Sequence, residues 1–183
     1  MKKIIFLASV LLGTWLSQEA TAQDTPDDIV PGTYYQDHVI TNYARTWKWT
    51  SGADTFTVVL VKKKRNLDKY SVDVLSGGYR YVKNGVEIVN TLNDVNKDVN
   101  NVVNGNFASL RSITRDGNGF LFLFMDIIHN NKWGHVHAEI TPYGNTYQFT
   151  WNLTGTGLRY VPAGTTPPPA GYSVPDDIVL IKQ

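Results

Sequence analysis

Apolar and polar positions alternate with period two along much of this chain, the spacing of half-buried β-strands. The clearest case is Thr146–Thr154. There Tyr147, Phe149, Trp151 and Leu153 fall on one face, and Gln148, Thr150 and Asn152 on the other. Thr55–Lys63 places Phe56, Val58 and Leu60 opposite Thr57, Val59 and Val61, and Lys69–Leu75 aligns Tyr70, Val72 and Val74. Trp47 and Trp49 share a face within Thr33–Thr50, a segment that reads as one or two strands. Lys132–Thr141 sets Val136, Ala138 and Ile140 inward. Phe120–Ile128 has only Asp126 as a polar residue, so both faces of that strand need cover. Phe107–Arg115, Leu158–Val161 and Ile178–Lys182 complete the predicted strands.

Turn chemistry separates these runs. Asn84-Gly85 lies between Tyr79–Lys83 and Val86–Thr91 and predicts a two-residue hairpin of type I′, which needs φ > 0 at both turn residues. Ser51-Gly52-Ala53-Asp54, Asp116-Gly117-Asn118-Gly119 and Pro142-Tyr143-Gly144-Asn145 are further turns, and Ser76-Gly77-Gly78 reads as a break. Lys62–Lys69 reads as a basic connection. Residues 90–106 carry seven Asn; the spacing of Leu92, Val95, Val99, Val102 and Val103 fits a short helix near 93–103 or an irregular loop. Five Pro within 162–175 give a stiff, extended connection. The strand after it, within 176–183, is expected to return to an open sheet edge and close the structure, because an unpaired edge invites aggregation. Eight to ten short strands with turns between them predict an all-β domain, a single antiparallel barrel or sandwich in the size range of small lipocalin-like barrels.

Composition supports the β assignment. Val, Thr and Tyr number 19, 18 and 10, against 3 Glu and 9 Ala, and β-branched and aromatic residues suit a pleated, half-buried surface. The first 22 residues stand apart. Lys2-Lys3, the apolar run Ile4–Leu16 and Ala20-Thr21-Ala22 predict a cleaved signal peptide, leaving 23–183 as one domain in the periplasm or outside the cell. That domain carries fifteen basic and fifteen acidic residues, a balance that argues against nucleic acid as a partner. No transmembrane segment is expected. With no Cys there is no disulfide and no thiolate nucleophile, so the fold rests on its core.

Three groups of residues offer chemistry. Trp47, Trp49, Tyr79 and Tyr81 are candidates for lining a ligand cavity or a sugar-stacking surface; core packing gives the same pattern. His135 and His137, with Glu139, share a strand face as zinc ligands do, and His129 lies across the preceding turn, Asn130–Lys132. Val136, Ala138 and Ile140 claim the inward side, so this ladder faces solvent, and no metal and no cofactor are expected. The basic run Lys62–Arg65 suits a polyanionic glycan or lipid headgroups, or simply protects a strand edge. No nucleophile elbow and no phosphate-binding loop occurs, so no catalytic residue is assigned. The reading is a non-enzymatic domain that binds a small apolar or amphipathic ligand or a glycan. The alternatives are a cavity-free module for envelope protein contacts and a metal-assisted hydrolase at His135 and His137.

Several motifs in order resemble one family. They are Thr46-Trp47-Lys48-Trp49-Thr50-Ser51-Gly52, then Phe56-x-Val58-x-Leu60-x-Lys62, then Asp73-x-Leu75-x-Gly77-x-Tyr79-x-Tyr81 with Asn84-Gly85-Val86-Glu87 and Asn90-Thr91-Leu92, and the ending Pro175–Gln183. This pattern resembles the small exported proteins of flavobacterial-type bacteria known as domain of unknown function 6705. The resemblance implies a Gram-negative exporter and a single β domain, and transfers no catalytic residue. The chain is also similar to lipocalins in having a Trp in its first long strand, but Arg45 stands where their Gly-x-Trp signature has Gly.

Overall fold

The computed structural model describes residues 29–100, 106–116, 119–155 and 169–183. The expected signal peptide (residues 1–22) and the short strand expected at 158–161 lie outside the described residues. Among the described residues ten strands form one sheet: β1 (Tyr34–Tyr35), β2 (Thr46–Ser51), β3 (Asp54–Asn66), β4 (Ser71–Lys83), β5 (Val86–Asn90), β6 (Leu110–Asp116), β7 (Gly119–Asp126), β8 (Lys132–Tyr143), β9 (Thr146–Gly155) and β10 (Asp177–Lys182). Eight of them run β4-β3-β2-β10-β9-β8-β7-β6, and β6 pairs back to β4, which closes an antiparallel barrel. The lipocalin-like barrel is therefore the form that the predicted all-β domain takes.

The C-terminal strand makes the closure that its sequence predicted. β10 lies between β2 and β9; Ile181 faces Lys48, and Ile178 and Leu180 face Trp151 and Phe149. The Asn84-Gly85 hairpin is also as predicted, with φ of 52° and 78° at its two turn residues.

Three local expectations are corrected and a fourth is refined. Lys62–Lys69 is not mainly a connection, because β3 continues to Asn66, paired with Ser71 at the start of β4. Ser76-Gly77-Gly78 does not interrupt its strand. β4 runs through it, and the missing Cβ atoms permit a close approach: a Cβ on Gly77 would lie 1.9 Å from the Val59 carbonyl oxygen, and one on Gly78 1.9 Å from that of Thr91. The segment read as strand before Trp47 contains a one-turn helix, α1 (Ile40–Tyr43), and where a short helix or an irregular loop was expected near 93–103 the described residues form a 3₁₀ turn over Leu92–Asn96. Asn and Val support a longer helix poorly.

Side chains fill the barrel. Trp47, Phe56, Leu60, Leu75, Tyr79, Leu110, Phe122, Phe124, Phe149 and Trp151 are all buried to within 1%. Trp47 stacks on Phe149 with ring centroids 5.2 Å apart, and Trp151 packs edge-on against Phe56 and Phe124 at 5.0 and 5.7 Å. Both ends are plugged. α1 delivers Ile40 and Tyr43, whose ring meets Phe120 at 4.6 Å. At the opposite end Tyr172 meets Phe124 at 5.9 Å and Val174 is buried beside it.

Candidate functional site

The aromatic candidates belong to the packed interior. Trp47 is fully buried and its Nε1 donates to the Tyr43 carbonyl at 3.1 Å. Tyr79 is fully buried; its hydroxyl donates to the Met125 carbonyl at 3.0 Å, and burial pushes its pKa far above the ordinary tyrosine value. Tyr81 is buried with its hydroxyl 3.5 Å from Asp54 Oδ2, and Trp49 is half-buried against the same cluster. Of the two roles that the sequence left open for these four, they take core packing.

The histidine ladder faces outward as the alternation predicted. His137 and Glu139 are exposed, His135 is half-buried, and Val136 and Ala138 point into the core. His137 pairs across β8–β9 with Asn152, and Glu139 with Thr150. With Gly119 they line an open cleft on the outer wall. Asn152 is exposed. His129 does not join this group. Its Nδ1 lies 3.3 Å from Asp126 Oδ2, within ion-pair distance but out of hydrogen-bond alignment.

Asp126, the lone polar residue of the most apolar strand, has a structural explanation. It is fully buried and accepts from Ser173 N and Ser173 Oγ, each at 2.6 Å, and from Ile128 N and His129 N at 3.2 and 3.3 Å. It straps residues 169–176 across the barrel end, where Lys132 Nζ donates to the Pro169 carbonyl at 3.2 Å. Ser, His and Asp thus meet, but the carboxylate takes the serine hydroxyl for itself. A relay would need the imidazole between them.

The basic run disperses. Lys62 pairs with Asp73 at 2.8 Å, Lys63 donates to the Lys97 carbonyl, and Lys64 lies 4.5 Å over the Tyr34 ring. Arg65 reaches a second place, which the sequence did not single out. Outside the barrel, where β4 meets β6, residues 97–99 and 107–108 lie over a small pocket lined by Arg65, Ser76, Arg111 and Ser112. Arg111 lies 4.5 Å over the Phe107 ring and 5.8 Å from that of Trp133. Burial, with the neighbouring Arg65 charge, lowers its pKa. Ser76 is fully buried, and its hydroxyl has no hydrogen-bond partner among the described residues. The sequence signal was Arg65, within the basic run read as suiting a polyanion; the β4–β6 pairing that brings Arg111 opposite Ser76 is long-range.

The chain belongs to a family of unknown function, DUF6705, whose profile matches residues 1–183. No curated protein and no solved structure matches it.

Proposed function

We propose that this chain is an exported, non-enzymatic binding module that recognises a glycan on the outside of its barrel. The observation that carries this reading is the filled interior. Trp47, Phe56, Tyr79, Phe122, Phe124, Phe149 and Trp151 occupy the space in which a lipocalin-type barrel holds an apolar ligand. The expectation of a small apolar ligand therefore gives way to its alternative, a surface ligand. The outer cleft of His137, Glu139, Thr150 and Asn152 supplies side-chain donors and acceptors of the kind that match sugar hydroxyls. A second reading, a module for protein contacts in the cell envelope, is favoured by the exposed apolar positions Ile113, Val179, Tyr143 and Tyr147.

A glycan array combined with a titration against an environment-sensitive apolar dye tests the proposal. The expected result is glycan binding weakened by His137→Ala and Asn152→Ala, with tryptophan fluorescence unmoved by the dye. One dye per chain that quenches the buried tryptophans would place the ligand inside the barrel and sink the reading.

A further inference from the structure

We propose that the outer pocket at the β4–β6 seam is an oxyanion site, in which Arg65, Arg111 and the Ser76 hydroxyl hold a phosphate or sulfate group. The site stands on its own residues. It deepens the surface-binding reading only if the group is carried by a glycan.

The placement comes from the sheet. Ser76 and Arg111 face each other across the β4–β6 pairing, so their Cβ atoms lie about 4.5–5.5 Å apart on one side of the sheet. Arg65 enters the pocket from the end of β3. The charges there are uncompensated. Neither arginine forms an ion pair among the described residues, and the sequence from Val99 to Arg115 contains no Asp or Glu. Lys97, also in the lining, is neutralised by Asp94 at 2.8 Å and donates to the Phe107 carbonyl at 2.7 Å. The one carboxylate in the lining is Asp98, which is exposed at the rim and accepts from Asn100 N at 2.9 Å.

Two half-buried guanidiniums side by side repel each other and lose hydration, a cost that an anion between them removes. Stacking on Phe107 and Trp133 occupies the face of the Arg111 guanidinium. Its N–H donors lie in the plane and stay available for an acceptor. A planar fork of donors suits the oxygens of phosphate or sulfate. The Ser76 hydroxyl supplies a further donor, and a buried hydroxyl without a partner is uncommon enough to need a reason. Size agrees. The free volume for a water-sized sphere is about 30 Å³, against roughly 10–15 Å³ for one water, so the pocket takes a small polyatomic group and not a sugar ring.

The test is calorimetry of the full domain with inorganic phosphate and sulfate at constant ionic strength, with chloride as reference. One anion per chain should bind. Arg65→Gln and Arg111→Gln should each weaken binding roughly tenfold or more. If Arg111→Gln fails to fold, Arg111→Lys keeps the stem and charge but removes the fork, and should also weaken binding. Ser76→Ala carries the sharpest distinction. It should weaken the anion several-fold while raising Tm in chloride, because it removes an orphaned hydroxyl. Anion effects that are absent, or equal in wild type and the arginine variants, would overturn the proposal. A sulfated monosaccharide, a phosphomonoester and anionic-lipid vesicles then identify the source of the group by which of them binds more tightly than the free ion. If neutral glycans bind and no anion does, the oxyanion site fails and the surface-binding reading stands.

Discussion

The two edges of β4 are built differently. On one side a single partner, β3, pairs with it without interruption from Asn66–Ser71 to Thr55–Val82. On the other, three short partners share the edge: β1 runs parallel at Ser71–Val72, β6 meets it only at Ser76–Gly77, and β5 takes over from Arg80. The barrel thus closes through two register pairs, reinforced by Leu75 N donating to Ser112 Oγ at 2.9 Å. One other junction is short: β10 meets β2 at two register pairs, with Gln183 N donating to the Thr46 carbonyl at 3.0 Å, whereas β3–β4, β7–β8, β8–β9 and β9–β10 are longer ladders. At the seam, backbone groups that a longer ladder would satisfy are met by side chains. Tyr79 N donates to Thr91 Oγ1 at 2.8 Å, Thr91 Oγ1 donates to the Tyr79 carbonyl at 3.1 Å, and Ser109 N donates to Asp94 Oδ2 at 2.8 Å. The difference teaches where this fold has room for a covered polar pocket: at the interruption of the wall, whereas the cleft of His137 and Asn152 on the continuous β8–β9 ladder lies open.

The largest expected effect comes from breaking the continuous wall. Truncation after Pro175 removes β10 and separates β2 from β9. Leu180 is fully buried and Ile178 packs on the core, and each such side chain contributes about 1.5–3 kcal/mol. Against a typical total of about 5–15 kcal/mol, the truncated domain should be insoluble or should melt far below the full chain. An unchanged Tm with a monomeric truncated protein would show that the wall closes without β10.

A smaller effect probes the β3–β4 ladder beside the seam. Gly77→Ala puts a methyl group where the Val59 carbonyl oxygen and the Leu60 Cα already are, and these are backbone atoms that cannot rotate away. The cost should be on the order of 3 kcal/mol, read as a lower urea midpoint at constant m-value. A substitution at exposed Gly144, where an added Cβ meets nothing within 4 Å but φ is 54°, should cost less. Equal costs at the two sites would erase the distinction between a close-packed ladder and an open turn.

The sequence exposed the wall far better than the seam. Alternation at Phe149, Trp151 and Leu153 announces its burial directly, and Asn84-Gly85 dictates a turn through local backbone preference. Gly77-Gly78 carries no such message. Two adjacent glycines usually signal a break, and here they mark close approach inside a continuous strand, a fact that resides in Val59 and Thr91. Ser76 and Arg111 are 35 positions apart, and nothing in the spacing of either shows that they meet. The reading of Trp47 and Tyr79 as cavity lining or core turned on whether α1 and residues 169–176 plug the barrel ends, and those plugs have no periodicity to read.

The smallest effect separates the seam's flank from the wall by pH. Asp73 lies on β4 below the seam, beside β1. Burial alone would raise its pKa. Hydrogen bonds from Lys62, from the Tyr34 hydroxyl and from Asp37 N, with the Lys62 charge, outweigh burial and hold it below the ordinary carboxylate value of 3.8. A folded pKa below the unfolded one means that the unfolded chain binds the proton more readily. The stabilisation is therefore complete above the unfolded value, near 3.8, and is lost as pH falls through the lower folded value. Asp73→Asn removes the charge that Lys62 and Tyr34 face, and should cost about 1–2 kcal/mol at pH 7. The gap between wild type and variant should narrow as pH falls below about 4, because the wild-type carboxyl is then being protonated. Urea melts at pH 7, 5 and 3 measure it. A gap that stays constant across that range would mean that Asp73 acts through shape alone, and that the β1 flank is held by its backbone pairing with β4 and not by the charge of Asp73.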